Sequence, residues 1–181
     1  MIRFLDILIS IIGLLLFSPF LIIFFIIGWF DTGSSFFIQK RVGLNLKNFN
    51  LVKFRTMKIG TKSKGTHLIS KSNITHIGYF LRKYKIDEMP QLFNVLIGDM
   101  SIVGPRPCLT NQKELIRERK KKGVFKVRPG ITGLAQIKGI NMAEPILLSK
   151  TDKKMIQNKI NIINYFQYIL LTFFLIINNS K

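Results

Sequence analysis

No charged residue occurs between Ile7 and Phe30, and the run is dominated by Leu, Ile and Phe. As a straight helix it reaches roughly 36 Å, enough to cross a hydrocarbon core of roughly 30 Å. It is too long for the apolar part of a secretion signal, and no small-residue cleavage site follows. Trp29 and Phe30 suit a membrane interface, and Arg3 and Asp6 suit a boundary at the other end. Ser18-Pro19 stands near the middle, where a proline removes one helical hydrogen bond and predicts a kink. A kinked helix can span the bilayer, the commoner outcome, or dip in and return to the face it entered. Of the 28 Lys and Arg, 27 follow Phe30, which predicts a cytoplasmic body. Spanning strands Arg3 and Asp6 on the far side, whereas a re-entrant path keeps Arg3 with the other cations. The pattern leaves both open.

The remainder has room for one domain of ordinary size in a chain of 181 residues. A net charge of +19 beside 48% hydrophobic residues excludes a disordered chain and admits a core. Such basicity allows nucleic acid, an anionic membrane surface or phosphate-bearing small molecules as partners, and the apolar run favours the membrane-linked choices. Cys108 is the single cysteine, in keeping with a reducing compartment. His67 and His76 are the only histidines and form no zinc-ligand spacing, so both read as surface or loop residues.

The chemistry concentrates in residues 86–107, IDEMPQLFNVLIGDMSIVGPRP. With only nine acidic residues in the chain, the adjacent Asp87 and Glu88 are not background composition. Pro90 suits the first turn of a helix, which places the pair at or just before a helix N-terminus, where anions are stabilised. A phosphate suits the same place, provided cations separate it from the carboxylates. Arg82, Lys83, Lys85 and Arg106 supply them, and a divalent metal can add more. This pattern points to phosphoryl transfer.

Residues 34–57 alternate around Gly43-Leu44-Asn45 and predict a β-hairpin with Phe37, Val42, Phe49 and Val52 inward. Its cations are Lys40, Arg41, Lys53 and Arg55; Lys40 reads as a solvated strand residue, while the other three suit either solvent or a site. Residues 58–73 read as a mobile polar loop. A helix follows over 75–84 with Ile77, Phe80, Leu81 and Tyr84 on one side. The helix after Pro90 is expected to bury Leu92, Phe93, Val95 and Leu96 and to stop at Gly98. Asp99 reads as a turn cap rather than a metal ligand. Residues 111–122 predict a solvated helix without chemistry. Arg128-Pro129-Gly130 opens a stiff turn able to hold an anion. The run Tyr165–Ile177 is too short to span and predicts an interfacial helix.

Together these motifs resemble the bacterial sugar transferase family, the small monotopic phosphoglycosyl transferases. LRKYKIDEMPQLFNVLIGDMSIVGPRP carries the family's central signature, and FFIQKRVG, KFRTM and VRPGITGLAQIKG carry its flanks. The resemblance implies an α+β, mostly helical fold: a kinked re-entrant membrane helix over 1–30 broken at Ser18 and Pro19, a catalytic domain with a small β-hairpin over 31–150, and an interfacial helical tail over 151–181. It implies transfer of a sugar 1-phosphate from a UDP-sugar to a polyprenyl (undecaprenyl) phosphate with release of UMP. The setting implied is the bacterial cytoplasmic membrane, with the domain facing the cytoplasm. It implies Mg2+, a covalent phosphosugar on Asp87, and Glu88 supporting both metal and nucleophile. Arg106, between Pro105 and Pro107, is implied at the nucleotide end of the donor. Arg41, Lys53, Arg55, Arg82 and Arg128 are implied in a basic, phosphate-facing pocket.

Departures from the family pattern occur at Ile2, Lys71, Asn73, Ile140, Asn141, Met155, Ile160 and Asn164. None removes the acid pair or Arg106. The Gly139–Met142 segment, GINM, is similar to that of members handling acetamido sugars. A non-catalytic membrane scaffold binding nucleotide-sugar or lipid is the alternative. A tethered nucleic-acid binder is disfavoured, since no binding module is recognisable.

Overall fold

The computed structural model describes residues 1–61, 71–158 and 160–178. His67 and most of the polar loop anticipated over 58–73 lie outside the described residues. The apolar run forms one helix, α1, Ile2–Thr32. Its two arms rest on the same body. At one end Arg3 donates to the carbonyls of Leu96 (3.0 Å) and Met100 (3.4 Å). Asp6, buried, accepts from Ser101 Oγ and the Ile102 amide, both at 3.0 Å, and from Tyr165 Oη at 2.9 Å. At the other end Phe24 packs edge-on to Phe54, and Ser35 Oγ donates to the Phe25 carbonyl. Gly28 allows this approach, because a β-carbon there would stand 3.3 Å from Ser35 Cα.

The expected break at Pro19 takes the form of a hydrogen-bond substitution inside a continuous helix. Proline lacks the amide that would bond to the Leu15 carbonyl, four residues back. Ser18 Oγ donates to that carbonyl instead, at 2.8 Å.

After α1 the chain forms the anticipated hairpin, β1 (Phe36–Val42) and β2 (Asn48–Phe54), with Arg41 opposite Phe49 and Phe37 opposite Lys53. A short strand, here β4 (Cys108–Leu109), adds to β1 in order β2-β1-β4. The inward set differs from the expected one. Val42 and Phe49 are buried, but so are Leu51 and Phe54, while Phe37 and Val52 are half-buried. Phe37, Gln39 and Arg41 share the covered face with Phe49, Leu51 and Lys53, whereas the other face is open at Ile38, Lys40 and Asn50 and closes only at the ends, at Val42 and Phe54, so the expected set mixed residues of two faces.

Helix α2 (His76–Lys83) is capped by Thr75, whose hydroxyl accepts from the Gly78 amide. Leu81 is buried, but Phe80 and Tyr84 are exposed, contrary to a single inward face. Helix α3 (Gln91–Ile97) ends at Gly98 with φ 94°, as expected, with Pro90 preceding it as cap. It buries Gln91, Asn94 and Val95, whereas Phe93 is 54% exposed. Asn94 ties α3 to β2, accepting from the Val52 amide and donating to the Asn50 carbonyl and to Asp99.

Strands β3 (Ser101–Val103) and β5 (Gly130–Thr132) pair in parallel. Between them lie α4 (Lys113–Lys121) and a short 3-10 turn; α5 (Leu134–Ile137), α6 (Pro145–Gln157) and α7 (Ile162–Asn178) complete the chain. Helix α6 runs through the boundary drawn at 150/151, so the tail begins inside an element of the body. One core joins Phe49, Leu51, Val95, Met100, Ile102, Val103, Met155 and Tyr165, with Ile2, Leu5 and Ile9 of α1 packed on it. A second holds Val42, Cys108, Leu115, Phe125, Ala135 and Leu148.

Candidate active site

Asp87 and Glu88 lie in a single 3-10 turn, Ile86–Glu88, one turn ahead of α3 rather than at its first residue. Lys85 opens that turn with φ 59°, a left-handed conformation costly for a side-chain-bearing residue and frequent at functional sites. Asp87 is 6% exposed, and its Oδ1 is buried without a hydrogen-bond partner. Burial pushes its carboxyl up to about 6, and neighbouring Glu88 adds to the rise against Lys53, Lys85 and Arg82. Glu88 moves the other way. Burial alone would raise it, but Arg106 and Lys85 outweigh burial and hold it well below the usual carboxylate range. Arg106 Nη2 donates to Glu88 Oε1 at 2.6 Å.

The Pro-Arg-Pro segment is held by its carbonyls, which suits residues of which two have no amide hydrogen. The Gly130 amide donates to Pro105 O at 2.9 Å, Arg119 Nη1 to Arg106 O at 2.7 Å, and Arg41 Nη1 to Pro107 O at 3.0 Å. Gly104 and Gly130 make the crossing possible, since a β-carbon on Gly130 would fall 2.0 Å from the Gly104 amide nitrogen.

Around the acids the structure gathers Arg41, Lys53, Arg82, Lys85 and Arg106, all coupled electrostatically to one or both carboxylates. Arg41 is lowered to about 10 by burial and by Arg106. Lys53 is lowered to about 8, again chiefly by burial, with Asp87 opposing. Gln39 Oε1 accepts from Arg41 Nη2, and Thr56 Oγ1 from Arg82 Nε. Arg55 and Arg128 are engaged elsewhere. Arg55 donates to the Ser34 and Phe36 carbonyls and lies over the Phe37 ring, and Arg128 donates to Gly98 O at the end of α3.

Arg119 and Asp152 escaped the sequence reading. Both are buried, paired at 2.7 Å, and Arg119 reaches from this pair to the Arg106 carbonyl. A signal existed: Asp152 shares the Leu148–Met155 stripe of α6, an acid on an apolar face. Among the described residues no group of three or more Asp, Glu, His or Cys comes together. The Asp87–Glu88 pair, with an orphaned Oδ1, nevertheless fits a hard cation that takes its other oxygens from substrate phosphates.

A family model described as bacterial sugar transferase matches residues 1–179. The chain belongs to the bacterial sugar transferase family. Within this family, the exopolysaccharide production protein ExoY of Rhizobium meliloti (strain 1021) is 35% identical over 180 residues, covering 86% of this chain and 76% of its own. A Klebsiella pneumoniae protein named UDP-glucose:undecaprenyl-phosphate glucose-1-phosphate transferase is 38% identical, over 83% of this chain and 33% of its own. A Bacillus subtilis (strain 168) protein, provisionally named as an undecaprenyl-phosphate N-acetylgalactosaminyl 1-phosphate transferase, is 44% identical over 58% of this chain and 60% of its own. The chain spans only part of two further relatives as well, 33% of the length of one and 52% of the other.

Proposed function

We propose that this chain transfers a sugar 1-phosphate from a UDP-sugar to a polyprenyl phosphate, releasing UMP, with Asp87 as nucleophile. The observation that carries the reading is Asp87 itself: a buried carboxylate with one unpartnered oxygen, in the field of Lys53, Arg82, Lys85 and Arg106, beside the Glu88–Arg106 pair. The names of relatives that act on undecaprenyl phosphate support the same class of reaction.

In the first displacement an Asp87 carboxylate oxygen attacks the sugar-bearing phosphorus. A new O–P bond forms, the bond to the bridging oxygen breaks, and that oxygen leaves on UMP. In the second, an oxygen of the polyprenyl phosphate attacks the same phosphorus, the Asp87–phosphorus bond breaks, and the carboxylate is restored. Neither step needs a proton taken by a base. Arg41, Lys53, Arg82 and Arg106 neutralise the diphosphate, and the carbonyl clamp on residues 105–107 keeps Arg106 directed at Glu88. Mg2+, held by Asp87 and Glu88, would supply further charge neutralisation at the diphosphate. Arg55 and Arg128 position the hairpin and α3.

The docking of both arms of α1 on one body favours a re-entrant path in the bacterial cytoplasmic membrane. The 27 cations after Phe30 favour a cytoplasmic site. The donor proposed is an acetamido sugar, on the strength of Gly139–Met142. The test is UMP release from detergent-solubilised protein with undecaprenyl phosphate, magnesium and a panel of UDP-sugars, read beside intact-protein mass. Turnover with a phosphosugar adduct lost in Asp87→Asn is expected. Full turnover by that variant would remove the covalent role, and a preference for UDP-glucose would remove the acetamido assignment.

A further inference from the structure

A cavity of about 840 Å³ opens beside Glu88, the one member of the acid pair in its lining. Lys83, Lys85, Glu88 and Arg106 give it charged lining. The rest is largely aliphatic, and much of it comes from two apolar helices: Phe17 from the middle of α1, and Thr172, Leu175 and Ile176 from α7. The inner stripe of α7, buried at Tyr165 and half-buried beyond it, explains how they get there. Tyr165, Tyr168, Ile169, Thr172, Leu175 and Ile176 recur at helical spacing on one face. The first three pack on the main core, whereas the last three lie over the cavity. Thr172 and Thr132 share a hydrogen bond between their hydroxyls, which fastens the helix to β5 where the stripe passes from core to cavity. The opposite face of α7 exposes Ile163, Phe166, Leu170, Phe173 and Phe174.

We infer that α7 is a wall of the acceptor-lipid site, and that its last two turns select the phosphate-bearing isoprenoid end of the acceptor. This rests on the transfer reading above and extends it to an element with no assigned role. The volume lies within the usual range for ligand sites. Cations at the acid pair complement a phosphate. Aliphatic walls built by the membrane helix and a second apolar helix complement a lipid chain, and they offer little to a nucleotide base. Seated here, a lipid phosphate meets Asp87 from the membrane side, while its remaining chain continues beside α1.

Equilibrium binding of radiolabelled undecaprenyl phosphate to the full chain in detergent, without donor or metal, tests this directly. Leu175→Trp and Ile176→Trp, which fill the cavity, are expected to weaken binding about tenfold, equivalent to about 1.4 kcal/mol. Leu175→Ala, which needs no new room, should weaken it several-fold. Leu170→Trp, on the outer face, should bind as wild type does. The KM for acceptor should follow binding, while Leu170→Trp keeps both the wild-type KM and the wild-type UMP burst. Binding within twofold of wild type in Leu175→Trp, Ile176→Trp and Leu175→Ala overturns the inference. Wild type that binds undecaprenyl phosphate through α7 yet releases no UMP refutes the transferase reading and leaves this wall standing.

Discussion

Asp87 is kept charged in surroundings that resist the charge. Its raised pKa means that the proton is retained to higher pH than on an ordinary carboxylate, so under the proposed mechanism the attacking form is lost as pH falls through about 6. The acid limb of UMP release should therefore lie near there. In Glu88→Gln, which removes the adjacent negative charge, the limb should move to lower pH even though turnover falls. The sign for stability is the reverse of that for activity. A carboxyl whose folded pKa is raised destabilises the fold wherever it is ionised. Asp87→Asn should thus be inactive yet more stable at pH 7, by about 1–3 kcal/mol. The advantage should fade between pH 6 and the ordinary carboxylate value. Thermal unfolding across pH checks this; an inactive variant with unchanged or lower stability at pH 7 contradicts it.

At the scale of elements, Ser18 and Pro19 act as one device. Ser18→Ala leaves the Leu15 carbonyl unpaired in apolar surroundings, at a cost of about 1–3 kcal/mol. Pro19→Ala returns the missing amide, so Ser18→Ala in that background should cost almost nothing. A double-mutant cycle on unfolding in detergent measures this coupling, and additive losses would refute it. The Arg119–Asp152 pair joins α4 to α6 and both to the Pro-Arg-Pro loop. Asp152→Asn should lose about 3–5 kcal/mol by leaving a buried guanidinium uncompensated. Arg119→Met with Asp152→Leu should recover most of that stability without recovering turnover, because the Arg106 carbonyl has lost its donor. Turnover restored along with stability would make the pair purely structural. These elements were unevenly legible. The apolar run, the hairpin, the stop at Gly98 and the acid pair each announce themselves over a few residues. A pairing 33 residues apart leaves only one acid on an apolar stripe as its trace. The burial of Phe80 and Phe93 was misread for a different reason: beside a membrane helix, large apolar side chains face outward, and inward positions fall to Gln91 and Asn94.

For the whole molecule, Asp6 is the point where separate parts meet. It bonds to β3 and to α7, so the first arm of α1, a strand of the parallel pair and the last described helix share one carboxylate. Asp6→Ala should expose α1 and α7 to protease together, whereas loss of a single helix would point to independent docking. That junction also has a consequence in time. Tyr165 is made 159 residues after Asp6. At about 5–20 residues per second, that is a wait of about 8–30 s. Throughout it, a nascent chain with its apolar helix already synthesised carries a carboxylate whose last partner does not yet exist. The Asp6 junction therefore closes in a fixed order, with β3 available to it first and α7 not before Tyr165 is made.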